Sequence, residues 1–250
     1  MNNRNQFAIV IPAYNETLTI THVITEALKQ SKLVIVVNDA SQDDTAELVK
    51  KTDAILVDLP VNGGKAKALQ AGFEKALTFG VEAVITLDGD AQHNPADIPK
   101  LLTYFAKNPN NLCVASRLKD RQNAPRSRRI ANSIADFWVS WAAGKPIADS
   151  QSGFRLYPSS LLKLLKLPYE NKSGFVFESE VLIDSAHLGY GFAFIPIDTI
   201  YAENRRASHF RAGFDITQIT LMVAKKLLRK GLNLPGLVKS LTQSANIIND

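Results

Sequence analysis

Val84-Ile85-Thr86-Leu87-Asp88-Gly89-Asp90-Ala91-Gln92-His93-Asn94-Pro95 is an apolar run that stops abruptly at two carboxylates flanking a glycine. A short apolar, β-branched run closed by turn formers reads as a buried parallel strand, and in open α/β sheets the ligand crevice lies at the carboxyl ends of such strands. Asp88 and Asp90 are therefore expected in the site, with Gly89 letting the backbone bend so that they converge. With the Gln92 amide oxygen as a third hard donor, the set suits Mg²⁺ or Mn²⁺ rather than zinc, and no Cys or His cluster competes for a softer metal. Alone, an Asp-x-Asp pair is a solvated turn. Its place after a hydrophobic strand and the further motifs of the chain favour a site.

Upstream, the same pattern recurs. Phe7 to Ile11 is a strand ending at Pro12-Ala13-Tyr14-Asn15-Glu16, and a helix follows from Thr17 to about Gln30. No G-x-G-x-x-G stands at this first strand-to-helix turn, which argues against a dinucleotide enzyme. Leu33 to Val37 is the second strand, followed by Asn38-Asp39-Ala40-Ser41, where Ser41 is a credible N-cap. Asp39, directly after the second strand, stands where an acid holds a ribose or base edge, or else serves the turn. Ala54 to Leu59 is a third strand. Asn62-Gly63-Gly64-Lys65 then opens a helix from about Ala66 to Phe79; it lacks the first glycine and the hydroxyl residue of a Walker site, yet can still face a phosphate.

Downstream, Pro95 to Lys107 reads as a helix and Leu112 to Ser116 as a fifth strand. Alternating strands and helices predict an α/β fold with a mostly parallel central sheet and helices on both faces. After Arg117 the regularity breaks. A basic stretch, Lys119 to Arg129, leads into an apolar helix from about Ile130 to Ala143 carrying Trp138 and Trp141, a combination that suits a solvated surface or contact with anionic lipid. A strand follows Asp149-Ser150-Gln151-Ser152-Gly153-Phe154-Arg155, then a helix from Ser159 to about Leu165 and a loop from Ser173 to Phe177. Glu178 and Glu180 open a helix closing at Gly189, and Phe192 to Ile200 is a strand. Phe214 to Lys230 is amphipathic and helical, with cations at its end that suit the macrodipole or a membrane surface. The tail from Asn233 to Asp250 is expected to be loosely attached.

The whole chain has 250 residues, 46% apolar and 21% charged, with a net charge of +5, which fits one large α/β domain with anionic partners. Cys113 is alone in an apolar run and reads as an inert core thiol, and the lack of a disulfide framework fits a reducing compartment. Met1 to Gln6 has no apolar core of a signal peptide, and no stretch approaches the roughly 18 to 20 apolar residues that span a bilayer. Any membrane contact is expected to be peripheral. The cations are dispersed and no nucleic-acid motif is present, so nucleic acid is not an expected partner.

Together, Val10-Ile11-Pro12-Ala13-Tyr14-Asn15-Glu16, Asn38-Asp39-Ala40-Ser41 with Asp44-Thr45, Asn62-Gly63-Gly64-Lys65, Asp88-Gly89-Asp90-Ala91-Gln92-His93, and Asp149 with Ser152-Gly153-Phe154-Arg155 resemble the family 2 inverting glycosyltransferases. Within them, the likeness is to the dolichyl-phosphate mannose synthase and polyprenyl-phosphate hexosyltransferase branch. The resemblance implies a GT-A, Rossmann-like three-layer sandwich over residues 1–230, with a nucleotide-sugar half (about 7–117), an acceptor half (about 118–230) and a tail (231–250). It implies a GDP-mannose or UDP-glucose type donor held by Pro12, Tyr14, Glu16, Asp39 and Lys65, and Mg²⁺ or Mn²⁺ on Asp88, Asp90 and Gln92, with Asp90 catalytic. It further implies a lipid-phosphate acceptor at Arg117, Arg129, Ser133 and Asp149, and a place at the cytoplasmic face of the membrane.

Two positions depart from that branch. Glu178 stands where it typically has glutamine, and an acid there matches the general base of hydroxyl-acceptor relatives; a phosphate acceptor needs no base. Glu178 is therefore a candidate catalytic base, or else an acid favourable at a helix N-terminus. Near the C-terminal end, Arg205-Arg206 and Ser208-His209-Phe210-Arg211 replace the usual basic pattern, and His209 stands as a candidate diphosphate contact or a surface residue. Three readings follow: transfer to a lipid phosphate, transfer to a hydroxyl with Glu178 as base, or a nucleotide-sugar binding subunit without turnover.

Overall fold

Apolar residues alternate along every central strand, and both sets are buried, as a sheet covered on two faces requires. The structure is a computed structural model that describes residues 7–118, 126–166, 174–198 and 212–248. Strands β1 (Phe7–Ala13), β2 (Val34–Asn38), β3 (Ile55–Asp58), β4 (Ala83–Thr86), β5 (Asn111–Ser116), β6 (Arg155–Pro158) and β7 (Gly191–Pro196) form one sheet in the order β3-β2-β1-β4-β6-β5-β7. One face carries Ala8, Val10, Ile35, Val37, Val84 and Val114 beneath helices α3 (Gly64–Leu77), α5 (Arg126–Ala143), α7 (Gly174–His187) and α8 (Ala212–Arg229). The other carries Ile9, Ile11, Val34, Val36, Ile85 and Cys113 beneath α1 (Ile20–Leu28), α2 (Thr45–Lys50) and α4 (Ile98–Lys107). The expected three layers are present. Cys113 is fully buried, and burial pushes its thiol up to about 12, which makes it inert as expected.

Strand β6 is the exception in a mostly parallel sheet. It runs antiparallel between β4 and β5, with Arg155 opposite both Thr86 and Val114. The reversal carries the segment before β6, Ser152-Gly153-Phe154, to the carboxyl ends of β4 and β5, where the acid pair lies. Thr86 Oγ1 fastens it by donating to Gly153 O at 2.6 Å.

Several local expectations are corrected. Ser41 caps nothing: α2 starts later, at Thr45, and Ser41 Oγ accepts from Asn15 N at 2.9 Å, because the loops after β1 and β2 pack together. Residues 174–177 are helical rather than a loop, since α7 begins at Gly174 and buries Val176 and Phe177, a tertiary gain that overrides their weak helix propensity. Glu178 thus lies a full turn inside the helix. A single 3₁₀ turn, Pro95–Asp97, capped by the Asn94 side chain, precedes α4. Strand β7 ends at Pro196, short of the expected Ile200; residues 199–211, His209 among them, lie outside the described residues.

The tail is not loose. Trp141 Nε1 donates to Leu232 O and Asn233 Nδ2 donates to Trp141 O, at 2.8 and 2.9 Å, which seats α9 (Leu234–Thr242) against α5. Beyond it, Phe194 N donates to Asn246 O and Ile248 N to Phe194 O, both at 2.9 Å, so the chain end pairs along β7. These partners are remote in sequence and leave no local signal.

Candidate active site

Three strands of the sheet end in sharp turns, each with a non-glycine residue in the left-handed region: Asn15 (φ 55) after β1, Ala40 (φ 55) after β2 and Ala91 (φ 60) after β4. For alanine this costs about 1 kcal/mol or more and clusters where function fixes the backbone. The loops are stitched to each other. Glu16 N donates to Thr45 Oγ1 at 2.8 Å, Gln42 N to Asn15 Oδ1 at 2.7 Å, and Thr19 Oγ1 to Gly89 O at 2.6 Å. Pro12 and Glu16 are thereby held beside the Asp-Gly-Asp turn, with Tyr14 between them in the chain.

Gly89 is needed for a different reason than expected. Its φ is not positive, and the left-handed bend belongs to Ala91; a Cβ on Gly89 would stand 3.3 Å from Glu16 Cγ and 3.4 Å from Pro12 O. It permits a close approach. Asp39 is also occupied: its Oδ1 and Oδ2 accept from Gly63 N and Gly64 N, each at 2.8 Å, and the carboxylate is almost wholly buried. These first amides of α3, considered from sequence for a phosphate, are spent on Asp39. Each carboxylate oxygen keeps a second lone pair.

Lys65 leaves α3 and enters the site. Its Nζ lies 2.6 Å from Asp88 Oδ1 and 2.6 Å from Glu178 Oε1. Burial disfavours the ammonium, but the two carboxylates outweigh it and raise the lysine above its usual range. Burial likewise opposes the charge of Asp88, yet Lys65 foremost, with Arg117 among the further charges, holds its carboxyl down at about 2. Asp90 moves the other way, pushed up by burial and by the charge of Asp88, while its Oδ1 accepts from Gln92 N at 3.0 Å. Glu178, 2% exposed, is pushed up by burial in spite of Lys65.

His93 shapes this turn. It is buried against Phe154, burial lowers its imidazole to about 4, and its Nδ1 accepts from Asp88 N at 3.4 Å. The ring is neutral at ordinary pH, so its 3.9 Å approach to Asp88 Oδ2 is not an ion pair.

Of the residues expected to meet an acceptor, Asp149 Oδ2 accepts from Arg117 N at 3.0 Å, joining two residues 32 positions apart. Asp136, on α5, accepts from Ser150 N at 2.9 Å. Sequence reasoning quoted Arg155 in a motif but gave it no role. It is fully buried, and its Nε, Nη1 and Nη2 donate to the carbonyls of Ser152, Glu178 and Ser150 at 2.7, 2.7 and 2.9 Å. It ties the loop before β6 to the very turn of α7 that carries Glu178. A charged residue inside an apolar strand run was the available signal. Arg129 and Ser133 share a face of α5 as expected, with Ser133 Oγ donating to Arg129 O at 2.9 Å. They line an open groove of about 450 Å³ with Ile130, Ile134, Phe137 and Trp138. Next to Arg117 and Asp149, the buried Ser116 Oγ and Gln151 Oε1 have no hydrogen-bond partner.

The donor set suits a hard divalent cation. Asp88 is ionised, Asp90 is destabilised by its charge, and a cation between such groups relieves the repulsion. Among the described residues no group of three His, Cys, Asp or Glu side chains could hold a metal unaided, so the remaining ligands would come from elsewhere, as from the oxygens of a diphosphate.

Comparison with known proteins gives the family and the fold. Residues 8–165 match the profile described as Glycosyl transferase family 2. The UDP-N-acetylglucosamine--dolichyl-phosphate N-acetylglucosaminyltransferase of Methanococcus voltae is 29% identical over 238 residues, covering 86% of this chain and 94% of that protein. The undecaprenyl-phosphate mannosyltransferase of Micrococcus luteus is 25% identical over 205 residues, covering 78% and 83%. Glucosyl-3-phosphoglycerate synthase from Mycobacterium tuberculosis, solved with Mg²⁺ and uridine diphosphate, superposes with a TM-score of 0.70 at 20% identity, over 89% of this chain and 79% of that one. At that identity the likeness establishes the GT-A fold.

Proposed function

We propose, from the premise that this chain belongs to glycosyl transferase family 2, that it moves a hexose from a nucleotide-sugar to the phosphate of a polyprenyl lipid, with inversion at the anomeric carbon. The chain is a glycosyltransferase by family, and both curated relatives above are named for polyprenyl-phosphate acceptors. The observation that carries the reading is the fate of Glu178. A hydroxyl acceptor must lose a proton during attack, and its base must reach that proton. Glu178 is instead buried and bound to Lys65 at 2.6 Å. A phosphate acceptor brings its own negative charge and needs no base.

In this reading a phosphate oxygen of the acceptor attacks the anomeric carbon as its bond to the donor diphosphate breaks. The electron pair of that bond leaves with the nucleoside diphosphate, of GDP or UDP type. Pro12, Tyr14 and Glu16 flank the base, while Asp39 fixes the Gly63-Gly64 loop and offers its remaining lone pairs to the ribose. Asp88, Asp90 and Gln92 hold Mg²⁺ or Mn²⁺; when bound, such a cation neutralises charge growing on the leaving group. Lys65 sets the electrostatics around Asp88. Arg117, positioned through Asp149, and Arg129 with Ser133 receive the acceptor phosphate, for which guanidinium forks are suited. His209 is assigned to the diphosphate, and the halves 7–117 and 118–230 to donor and acceptor. The reading places this action at the cytoplasmic face of the membrane; no helix among the described residues is long and apolar enough to cross a bilayer.

The test is to incubate the protein with Mn²⁺, radiolabelled sugar nucleotides and a membrane lipid extract, and to treat the labelled lipid with mild acid. An acid-labile product is expected, as for a sugar phosphodiester. An acid-resistant glycoside would transfer the assignment to a hydroxyl acceptor.

A further inference from the structure

A surface helix ordinarily turns its large apolar side chains inward and its small or polar ones to water. Helix α9 does the reverse. Gly236 faces the interior, so close to α5 that a Cβ there would stand 2.6 Å from Trp141 O, while Leu234, Val238 and Leu241, spaced as one face, point outward. The preceding helix continues the pattern. Ile219, Val223 and Leu227 of α8 are buried, and Leu221 and Leu228, with Leu232 beyond the helix end, lie on its outer side. These six outward side chains are between 47% and 71% exposed.

The charge on this segment is one-sided. From Ile216 to Ile248 the sequence has Lys225, Lys226, Arg229, Lys230 and Lys239 and no Asp or Glu. Lys226 turns inward to Glu180 and Asp184 of α7, and the other four cations are exposed. Helix α5, whose groove carries Arg129 and Ser133, packs against both α8 and α9 and exposes Ile130 and Ile134. Exposed leucines interleaved with unopposed cations match one partner chemistry, an acyl boundary beneath anionic headgroups.

We infer that the outward faces of α8 and α9 are a docking surface for an anionic lipid bilayer, with Leu228, Leu234, Val238 and Leu241 entering the acyl boundary and Lys225, Arg229, Lys230 and Lys239 meeting headgroup phosphates. The inference rests on the lipid-phosphate reading above and adds to it the place where the enzyme meets the membrane. Docked there, the enzyme presents the α5 groove to acceptors held in the bilayer.

The test is co-sedimentation of the full chain with vesicles of phosphatidylcholine alone or mixed with phosphatidylglycerol. Wild type is expected to bind the mixed vesicles and release them in high salt. Leu234→Glu with Val238→Glu and Leu241→Glu should lower partitioning at least about tenfold, and Lys225→Gln with Arg229→Gln roughly tenfold on mixed vesicles only. Circular dichroism should show both variants folded, as befits exposed positions. Their transfer to a water-soluble short-chain polyprenyl phosphate should equal wild type, while transfer to long-chain acceptor in vesicles falls. Equal vesicle binding by wild type and both variants overturns the inference, as does a wild-type dimer that the leucine variant splits without any vesicle binding. Vesicle binding as expected, with no transfer to the short-chain phosphate by any form, upholds the surface and refutes the acceptor assignment instead.

Discussion

Lys65 Nζ stands 2.6 Å from Glu178 Oε1, joining residues 113 positions apart, and the same ammonium reaches Asp88 Oδ1. One half-buried cation thus serves the acid that ends β4 and the acid a turn inside α7. Attraction in a site of low dielectric repays burial only while all partners remain.

Glu178→Gln keeps an oxygen for Lys65 and is expected to hold kcat within about tenfold of wild type, whereas loss of a general base costs roughly 10²- to 10⁴-fold. Steady-state rates across pH decide it. Glu178→Leu leaves the half-buried lysine with Asp88 alone and should lower stability by about 1 to 2 kcal/mol in urea titration.

Asp90→Asn should abolish Mn²⁺-dependent transfer, with a drop of at least about 10²-fold. Because burial and Asp88 push the Asp90 carboxyl up, its charge opposes folding at neutral pH, and the variant should melt no lower than wild type. A lower Tm together with retained transfer would contradict both assignments.

Gly153→Ala tests the close approach that β6 creates. The added carbon would stand 2.7 Å from Lys65 Nζ and 2.8 Å from Asp88 Oδ2, so these side chains must move. The lysine is held by two ion pairs, and stability should fall by about 1 to 3 kcal/mol. Displacement of Asp88 should cost up to about 10²-fold in kcat.

Arg155→Met replaces three buried hydrogen bonds with none and leaves the Ser150, Ser152 and Glu178 carbonyls unpaired. The loss should exceed about 3 kcal/mol, measured as a fall in the urea midpoint. Arg155→Lys, lacking the planar fork, should recover only part of it.

His93 gives the acid side of stability a defined window. The unfolded imidazole takes its proton near 6.5 and the folded one near 4, so the unfolded chain binds more protons between those values. Stability from this residue is complete above pH 6.5 and lost as pH falls to about 4, a change of at most about 3 kcal/mol. Asp88 adds a second loss lower down, present above 3.8 and gone as pH falls through about 2. Glu178, raised, acts with the opposite sign above 4.5, so the difference between wild type and His93→Gln isolates the histidine. Urea midpoints from pH 7 to pH 4 should converge if His93 is the source.

Sequence periodicity revealed both core faces, because a strand buried on two sides must be apolar at every position, and the Asp88 pair was legible from its place after such a strand. Ser41 and Gly89 were read from local preference and did other work. Their partners, Asn15 in one case and Glu16 with Pro12 in the other, come from a neighbouring loop. Arg155 was visible as an odd charge but not as the clasp between a loop and α7.

The sequence by itself determined the alternation of strands and helices, the end of the sheet at which carboxylates gather, and the hard-oxygen character of Asp88 and Asp90, since each follows from residues adjacent in the chain. Only the tertiary structure decided that Glu178 is committed to Lys65, that β6 reverses to bring Gly153 against Asp88, and that α9 is docked with its leucines outward. Those outcomes depend on contacts between distant segments, whose energies arise from burial and charge in a shared interior and leave no periodic trace along the chain.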